Sequence, residues 1–358
     1  MRQNRYLGII LSLVLLIGLI LPAVVYADKP DDDENCEATN IKVLKKMGLD
    51  AGALNGKLPP IARSHGHGDQ GAPGILGRPL PPGGNRYAVL IGISDYPGDG
   101  SVLQGGPDLF YADDDAVDML GVLTGVYGFD PSKINLLMGP GDIAAHGMGN
   151  PATRENILTA IRELKKKVTP KDEVVFQFSG HAVQGVAQDW DAERVDTGIL
   201  PCDSDLTNPS NSIIWDGQLR KAFNRVNANR VIFIFDCCNA GGMTNLQGPN
   251  RIVCASVGQN GIAVEYGPAY GPPIDPVGEV NNGIFTFFFA EVGMGAGFAD
   301  LNGNGAVAVE EAFNFAQGTI SGYMGMILPM LEQFGYSGLT AQDETPVMVD
   351  RFPGDLLL

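Results

Sequence analysis

The sequence predicts an α/β fold: a three-layer α/β/α sandwich with a mostly parallel central sheet. Two observations carry this. Short apolar runs at Tyr87–Ile93, Asp172–Ser179 and Val231–Phe235 have the pattern of strands covered on both faces. Segments with apolar residues at helical spacing lie between them, and strand–helix alternation is the signature of a parallel sheet packed between helices.

Tyr87–Ile93 is the first predicted strand, and Tyr111–Val126 the first helix. Ile134–Met138 is a short strand. Thr153 is placed to cap a helix running to Val168. Asn156 stands where a capping box needs Glu or Gln, so the box is incomplete. Asp172–Ser179 is the next strand, closed by Gly180-His181-Ala182. The acidic loop QDWDAERVD and a short segment at Gly198–Pro201 follow. Asp216–Val226 is a helix, and Val231–Phe235 a strand that ends in Asp236. Arg251–Val257 is another strand, and Gly283–Val292 and Glu310–Glu332 read as largely helical.

This pattern occupies residues 85–358. Ahead of it, Arg2 and Arg5 precede an apolar stretch, Leu7–Leu21, and then Val25-Tyr26-Ala27. A basic start, an apolar centre and a small-residue cleavage site make residues 1–27 a signal peptide, so the chain is expected to be exported. Residues 28–84, with the charge run DKPDDDE and the Pro- and Gly-rich RPLPPGGN, read as a propeptide or flexible linker. His65 and His67 fall in that linker. No other stretch is long and apolar enough to span a bilayer.

The net charge is −17, and removing Arg2 and Arg5 with the leader takes it to −19. Such a chain repels nucleic acid and anionic membranes and suits a basic substrate or a bound cation. The five cysteines are an odd number, which in an exported chain leaves a free thiol. No C-x-x-C pair occurs, which argues against a structural zinc site.

The segment NRVIFIFDCCNAGG delivers two cysteines to the end of a buried strand. Open α/β folds place their chemistry at that edge of the sheet. A thiol nucleophile needs a base, and of the four histidines only His181 ends a comparable strand. His and Cys at the ends of two neighbouring parallel strands have the arrangement of Cys/His nucleophilic catalysis.

FSGHAVQG and FDCCNAGG resemble the two signature segments of the caspase-like cysteine peptidases, the caspase, metacaspase and paracaspase group, in the manner of bacterial or archaeal metacaspase-like members. The group's pattern is roughly Y-S-G-H-G and D-[SAC]-C-x-[SA]-G. RYAVLIGISDY, YADDDAVDML, TRENILTAIRELKKKV, ILPCDSD and DETPVMVD extend the likeness from about Tyr87 to the end of the chain. It implies the caspase-like fold and a cysteine endopeptidase acting on proteins or peptides. Cys238 is then the nucleophile, with Cys237 in place of a small packing residue, and His181 is the base. The backbone N–H groups of Cys238 and Ala182 form the oxyanion hole. Ala182 departs from the group's Gly, and its methyl restricts φ. By position, Asp115 and Asp236 match the two metacaspase carboxylates that bind Arg or Lys at P1. Only about ten residues, Gly242–Arg251, follow the Cys turn, too few for a caspase-type cleavage loop, so a monomeric single chain is expected. Two alternatives stay open: a pseudopeptidase serving as a calcium-binding interaction module, and a legumain-like peptidase or transpeptidase.

A separate signal lies at Asp300–Glu311. DLNGNGAVAVEE has the spacing of an EF-hand-type Ca²⁺ loop, with Asp300, Asn302, Asn304, the Ala306 carbonyl and Glu311 as ligands and Gly305 at the sharp turn. A weaker likeness to the activating calcium site of metacaspases pairs Asp196 with Asp216, with Trp215 and Asn245 where other ligands would stand.

Overall fold

The apolar runs form the sheet. A computed structural model describes residues 76–98, 106–186, 195–267, 280–333 and 338–358. In chain order come β1 (Arg86–Gly92), α1 (Ala112–Gly125), β2 (Ile134–Met138), α2 (Pro140–His146), β3 (Asn150–Pro151), α3 (Arg154–Lys167) and β4 (Glu173–Ser179). They are followed by β5 (Ala182–Gly185), β6 (Asp196–Ile199), β7 (Ile214–Trp215), α4 (Asp216–Phe223), β8 (Arg230–Asp236) and β9 (Arg251–Ala255). Then come β10 (Glu265–Tyr266), β11 (Asn282–Gly283), a π-helix at Phe287–Gly295, α5 (Val309–Gln333) and β12 (Val347–Asp350). The leader at 1–27, most of the 28–84 segment and most of the QDWDAERVD loop lie outside the described residues.

The main sheet runs β12-β9-β8-β4-β1-β2-β3. Its strands are parallel except β12, which pairs antiparallel with β9 at one edge. The chain leaves β1 toward β2 and β3, then returns to β4 on the other side of β1. That reversal opens a crevice at the carboxyl ends of the strands. Side chains alternate between two apolar layers. On one face lie Val174, Phe176, Val231, Phe233 and Phe235, packed against α3 and α4. On the other lie Val175, Ile232 and Ile234, packed against α1, the π-helix and α5. Fully burying one such side chain is worth about 1.5–3 kcal/mol, so both layers favour this pairing.

Predicted element ends fall close to the observed ones. Thr153 caps α3 by accepting the Asn156 N–H at 3.2 Å. Asn156 does not reach back to the cap; its amide donates to the Pro151 carbonyl at 2.8 Å. The aromatic run after Gly283 is helical as expected, but over Phe287–Gly295 it is a π-helix. Among the described residues no helix is long and apolar enough to cross a membrane. Residues 76–84, the described end of the linker segment, lie along the amino edge of the sheet. There Gly77 N–H donates to the Asp355 carbonyl at 2.7 Å, and Arg230 Nη1 to the Arg78 carbonyl at 3.2 Å.

One residue in the centre of the sheet runs against the packing. Gln177 on β4 lies between Leu90 and Ile234, fully buried, and neither its amide nitrogen nor its oxygen has a partner. An unsatisfied buried polar group costs about 1–3 kcal/mol. Gln177→Met, of similar length and apolar, is therefore expected to raise the melting temperature, by an amount corresponding to ~1–3 kcal/mol. Thermal unfolding followed by circular dichroism checks this, and a lower melting temperature would show a role for the amide that packing does not require.

Candidate active site

The site follows from register. β4 and β8 are adjacent and parallel, and Ser179 stands opposite Asp236. Each chain then continues two residues, to His181 and Cys238, so both leave the sheet edge at the same level. Asp115, in the first turn of α1, comes to the same place because α1 follows β1, the other neighbour of β4. Asp115, His181, Asp236 and Cys238 line one cleft of about 330 Å³, its open mouth included, together with Ala263 and Glu265.

His181 is held by its surroundings. Tyr96 Oη accepts the His181 N–H at 2.8 Å and donates to the Leu200 carbonyl at 3.3 Å. Its ring lies against the imidazole, with centroids 4.9 Å apart. Gly180 is required for this approach: its φ is +148°, and a Cβ there would meet Tyr96 Oη at 2.7 Å. His181 Nε2 lies 2.7 Å from the Pro107 carbonyl. A carbonyl only accepts, so Nε2 carries the proton and Nδ1 is left with the lone pair. Burial lowers the His181 pKa, against the opposing effect of the Pro107 bond.

Cys238 stands two residues beyond the end of β8. The next residue, Asn239, is left-handed, with φ 59° and ψ 16°, and turns the chain into the 3₁₀ helix at Ala240–Leu246. Its N–H is fixed on the Gly261 carbonyl at 3.0 Å. Asn tolerates this conformation better than most residues. The Cys238 thiol donates to the Ala263 carbonyl at 3.9 Å. Burial pushes its pKa up to about 12, and the charges of Glu344 and Asp236 add to the rise. Cys237 is also buried and belongs to the apolar layer on the α3 and α4 side. Cys202, Cys237, Cys238 and Cys254 are all free thiols.

Ala182 opens β5 opposite Ile199. Leu200 N–H donates to the His181 carbonyl at 2.9 Å, which makes that couple the hydrogen-bonded one and Ala182/Ile199 the next, non-hydrogen-bonded couple. The Ala182 N–H therefore points away from β6. Ala182 is not among the positive-φ residues, so its methyl meets no backbone conflict here.

The two carboxylates converge on Gly283, where a Cβ would stand 2.4 Å from Asp236 Oδ2 and 2.9 Å from Asp115 Oδ2. Asp115 accepts from Ser179 Oγ at 2.5 Å, Gly283 N–H at 3.0 Å and the Asn282 amide at 3.1 Å. Asp236 accepts from Thr286 N–H at 2.8 Å and its hydroxyl at 2.7 Å. Burial raises both pKa values, and for Asp115 the Asp236 charge raises it further. Sequence reasoning did not find Tyr96, Pro107, Ala263 or Gly283, which act through the backbone or through a hydroxyl from another loop.

Away from the cleft, Asp300, Asn302, Asn304 and Ala306 lie in the loop before α5, and Glu311 in the first turn of that helix. Asp300 accepts from the N–H groups of Asn304 at 3.0 Å and Gly305 at 2.8 Å. Gly303 and Gly305 have φ of 73° and 83°. The Asn302 amide donates to Glu311 Oε1, and Ala308 N–H to Glu311 Oε2 at 3.0 Å. Asp216 accepts from the Asn245 amide at 2.9 Å. A further group of metal-ligating type was not expected from sequence: His146 Nε2 meets Asp113 at 2.9 Å and Asp114 at 3.4 Å.

Residues 86–247 match the family model for the metacaspase peptidase C14 domain. Among curated proteins, the chain is 29% identical over 164 residues to Metacaspase-1 of Candida glabrata, covering 46% of this chain and 38% of that protein. It is 30% identical over 167 residues to Metacaspase-1 of Schizosaccharomyces pombe, covering 46% and 36%. It is 31% identical over 110 residues to Metacaspase-2 of Trypanosoma brucei brucei, covering 30% of each. The matched stretch thus spans less than half the length of each of these relatives. The match contains the segments that hold Asp115, His181, Asp236 and Cys238, and the sheet is the expected mostly parallel one. Over residues 86–247 the chain is thus similar to the metacaspase peptidase C14 domain of the caspase-like cysteine peptidases.

Proposed function

We propose that this chain is a cysteine endopeptidase that cleaves proteins or peptides after Arg or Lys. The observation that carries this reading is the level placement of His181 and Cys238 at the mouth of one cleft with Asp115 and Asp236. Both partners rest neutral, so the proton moves as the thiol attacks. His181 takes it on Nδ1, Cys238 Sγ bonds to the scissile carbonyl carbon, and the new oxyanion is held by the N–H groups of Cys238 and Ala182. His181 returns the proton to the leaving amine. It then activates the water that frees the acyl group.

Asp115 and Asp236 give this cleft its preference. Two buried carboxylates facing each other favour an arriving cation, and a guanidinium can bond them in two directions at once. Lys, a point charge, ranks second. Neutral or acidic side chains leave the pair uncompensated. Hydrolysis of fluorogenic peptides differing at P1 (Arg, Lys, Asn, Asp) tests the reading. Cys238→Ala is expected to abolish cleavage and Cys237→Ala to retain most of it. Asp236→Asn should lower kcat/KM for Arg by about tenfold or more, equivalent to ~1.4 kcal/mol, while the fold survives. A folded wild type that cleaves none of the four would favour the pseudopeptidase reading. Preference for Asn at P1 would favour the legumain-like one.

Calcium belongs to the same proposal. The Asp300–Glu311 loop offers oxygen donors alone, which suits a hard cation. Asp300, Asn302, Asn304, the Ala306 carbonyl and Glu311 would hold the ion, which supplies positive charge to tie the loop to the first turn of α5. Binding to the native state stabilises it by roughly 2.7 kcal/mol at about 100 times Kd. In protein stripped with a chelator, millimolar Ca²⁺ is expected to raise the melting temperature, and Glu311→Gln to remove most of that rise. A melting temperature indifferent to Ca²⁺ counts against the loop. The reading also places the chain outside the cytoplasm, after removal of residues 1–27, as a single-chain monomer.

A further inference from the structure

We infer that Glu344 is a positioning residue for Cys238, acting on the thiol through the single peptide group that joins Ala263 to Val264. The inference rests on the reading of Cys238 as the reacting thiol. One face of that peptide meets the thiol, which donates to the Ala263 carbonyl at 3.9 Å. The other face meets Glu344, whose Oε2 accepts the Val264 N–H at 2.7 Å. The bonds run in one direction, S–H to O=C, then N–H to Oε2. A carboxylate on the N–H polarises the peptide and makes the carbonyl a stronger acceptor, as in any chain of hydrogen bonds in a low-dielectric interior. An ionised Glu344 thus holds the proton on sulfur and keeps the thiol turned to Ala263.

Among the described residues, Glu344 makes one hydrogen bond, the one to the Val264 N–H. It is 1% exposed, and its second oxygen, Oε1, has no partner. The loop it grips is anchored on both sides of the peptide in question: Ile262 N–H donates to the Asp343 carbonyl at 3.1 Å, and Ile284 N–H to the Val264 carbonyl at 2.9 Å. The ionisable groups acting on Glu344 are Asp236 from the end of β8 and its neighbour Asp343; those acting on Cys238 are Glu344 and Asp236. Burial and these like charges raise the Glu344 pKa well above its ordinary value. Glu344 and Cys238 therefore compete: ionisation of either opposes ionisation of the other.

Replacing Glu344 by Gln removes the competitor and keeps an oxygen for the Val264 N–H. The experiment measures the rate of iodoacetamide alkylation at Cys238 against pH, read by mass spectrometry of the peptide that carries it. Glu344→Gln is expected to move the profile down by about one pH unit, a tenfold gain in thiolate at fixed pH on the rising limb. Glu344→Met, also uncharged and of similar volume, should move it the same way if the amide variant folds poorly. Asp343→Asn alters a neighbouring charge that does not touch this peptide and should leave the profile within about a third of that shift. Folded Gln and Met variants with the wild-type profile would overturn the inference, as would an Asp343→Asn shift as large as theirs. Peptide hydrolysis measured in parallel separates this from the peptidase reading. A shifted alkylation profile without hydrolysis by the wild type removes the peptidase reading alone. Ordinary hydrolysis with an unshifted profile removes the role of Glu344 alone, whereas a shift in kcat with little change in KM supports it.

Discussion

The register of β4 against β8 is the constraint on which the site depends. It is held by packing on both faces. On one face Phe176, Phe223 and Phe233 form an edge-to-face cluster, with Phe223 and Phe233 centroids 4.7 Å apart at 82° and Phe176 and Phe223 5.2 Å apart at 76°. Such pairs add about 0.5–1.5 kcal/mol beyond their buried area. A slip of one residue would turn every side chain of one strand to the other face. Phe233 would leave the cluster, and Cys238 would lose its level with His181. The level placement of His181 and Cys238 is thus a by-product of apolar packing several residues away.

Against that frame the chain buries several carboxylates at the same edge. Each is compensated by neutral donors: Asp236 by Thr286, Glu265 by the N–H groups of Phe110 at 2.9 Å and Tyr111 at 3.0 Å, and Glu344 by Val264. Neutral donors do not cancel the charge, and Glu344 Oε1 has no donor at all, so burial still raises the pKa of Asp115, Asp236 and Glu344. For acids raised in the folded state the sign is fixed. The native state holds these protons more tightly, so their contribution to stability falls as pH climbs from the unfolded values toward the raised ones. On the proposed reading, a basic P1 side chain between Asp115 and Asp236 would offset that penalty.

The elements that bury apolar faces were legible in the sequence because their periodicity is unambiguous. β1, β4, β8 and the α3 cap at Thr153 fall within a residue or two of expectation. His181 and Cys238 reach one edge as strand-end reasoning expects, and Asp115 and Asp236, which only the family resemblance singled out, line the same cleft. What the sequence did not expose has a common physical character. Pro107 and Ala263 contribute carbonyls, and Gly283 contributes the absence of a side chain; none has a side-chain signature. Tyr96 reads as an ordinary aromatic until the fold sets its hydroxyl beside Gly180. The α2 helix, only seven residues long, and the two-residue strands are too short for any period to show. The concern over Ala182 had the right physics, since a methyl does limit φ, but the fold asks for no unusual angle there.

The resting geometry also bears on how such a site reacts. His181 Nε2 and the Cys238 thiol are each satisfied by a backbone carbonyl, Pro107 and Ala263, rather than by one another. Burial lowers the first group's pKa and raises the second's, so both changes favour the uncharged pair. A preformed thiolate–imidazolium pair would require the opposite shifts. On the proposed mechanism, charge separation waits for a partner that stabilises it, and the groups able to do so are the oxyanion donors, which act only once the carbonyl is under attack. The imidazole is already in the right tautomer, because the Pro107 carbonyl leaves the lone pair on Nδ1. What remains is to free the thiol from Ala263, and that carbonyl belongs to the peptide whose N–H is held by Glu344. On the proposed mechanism, the step that separates rest from reaction is set by the one peptide group that joins Ala263 to Val264 and is held by Glu344.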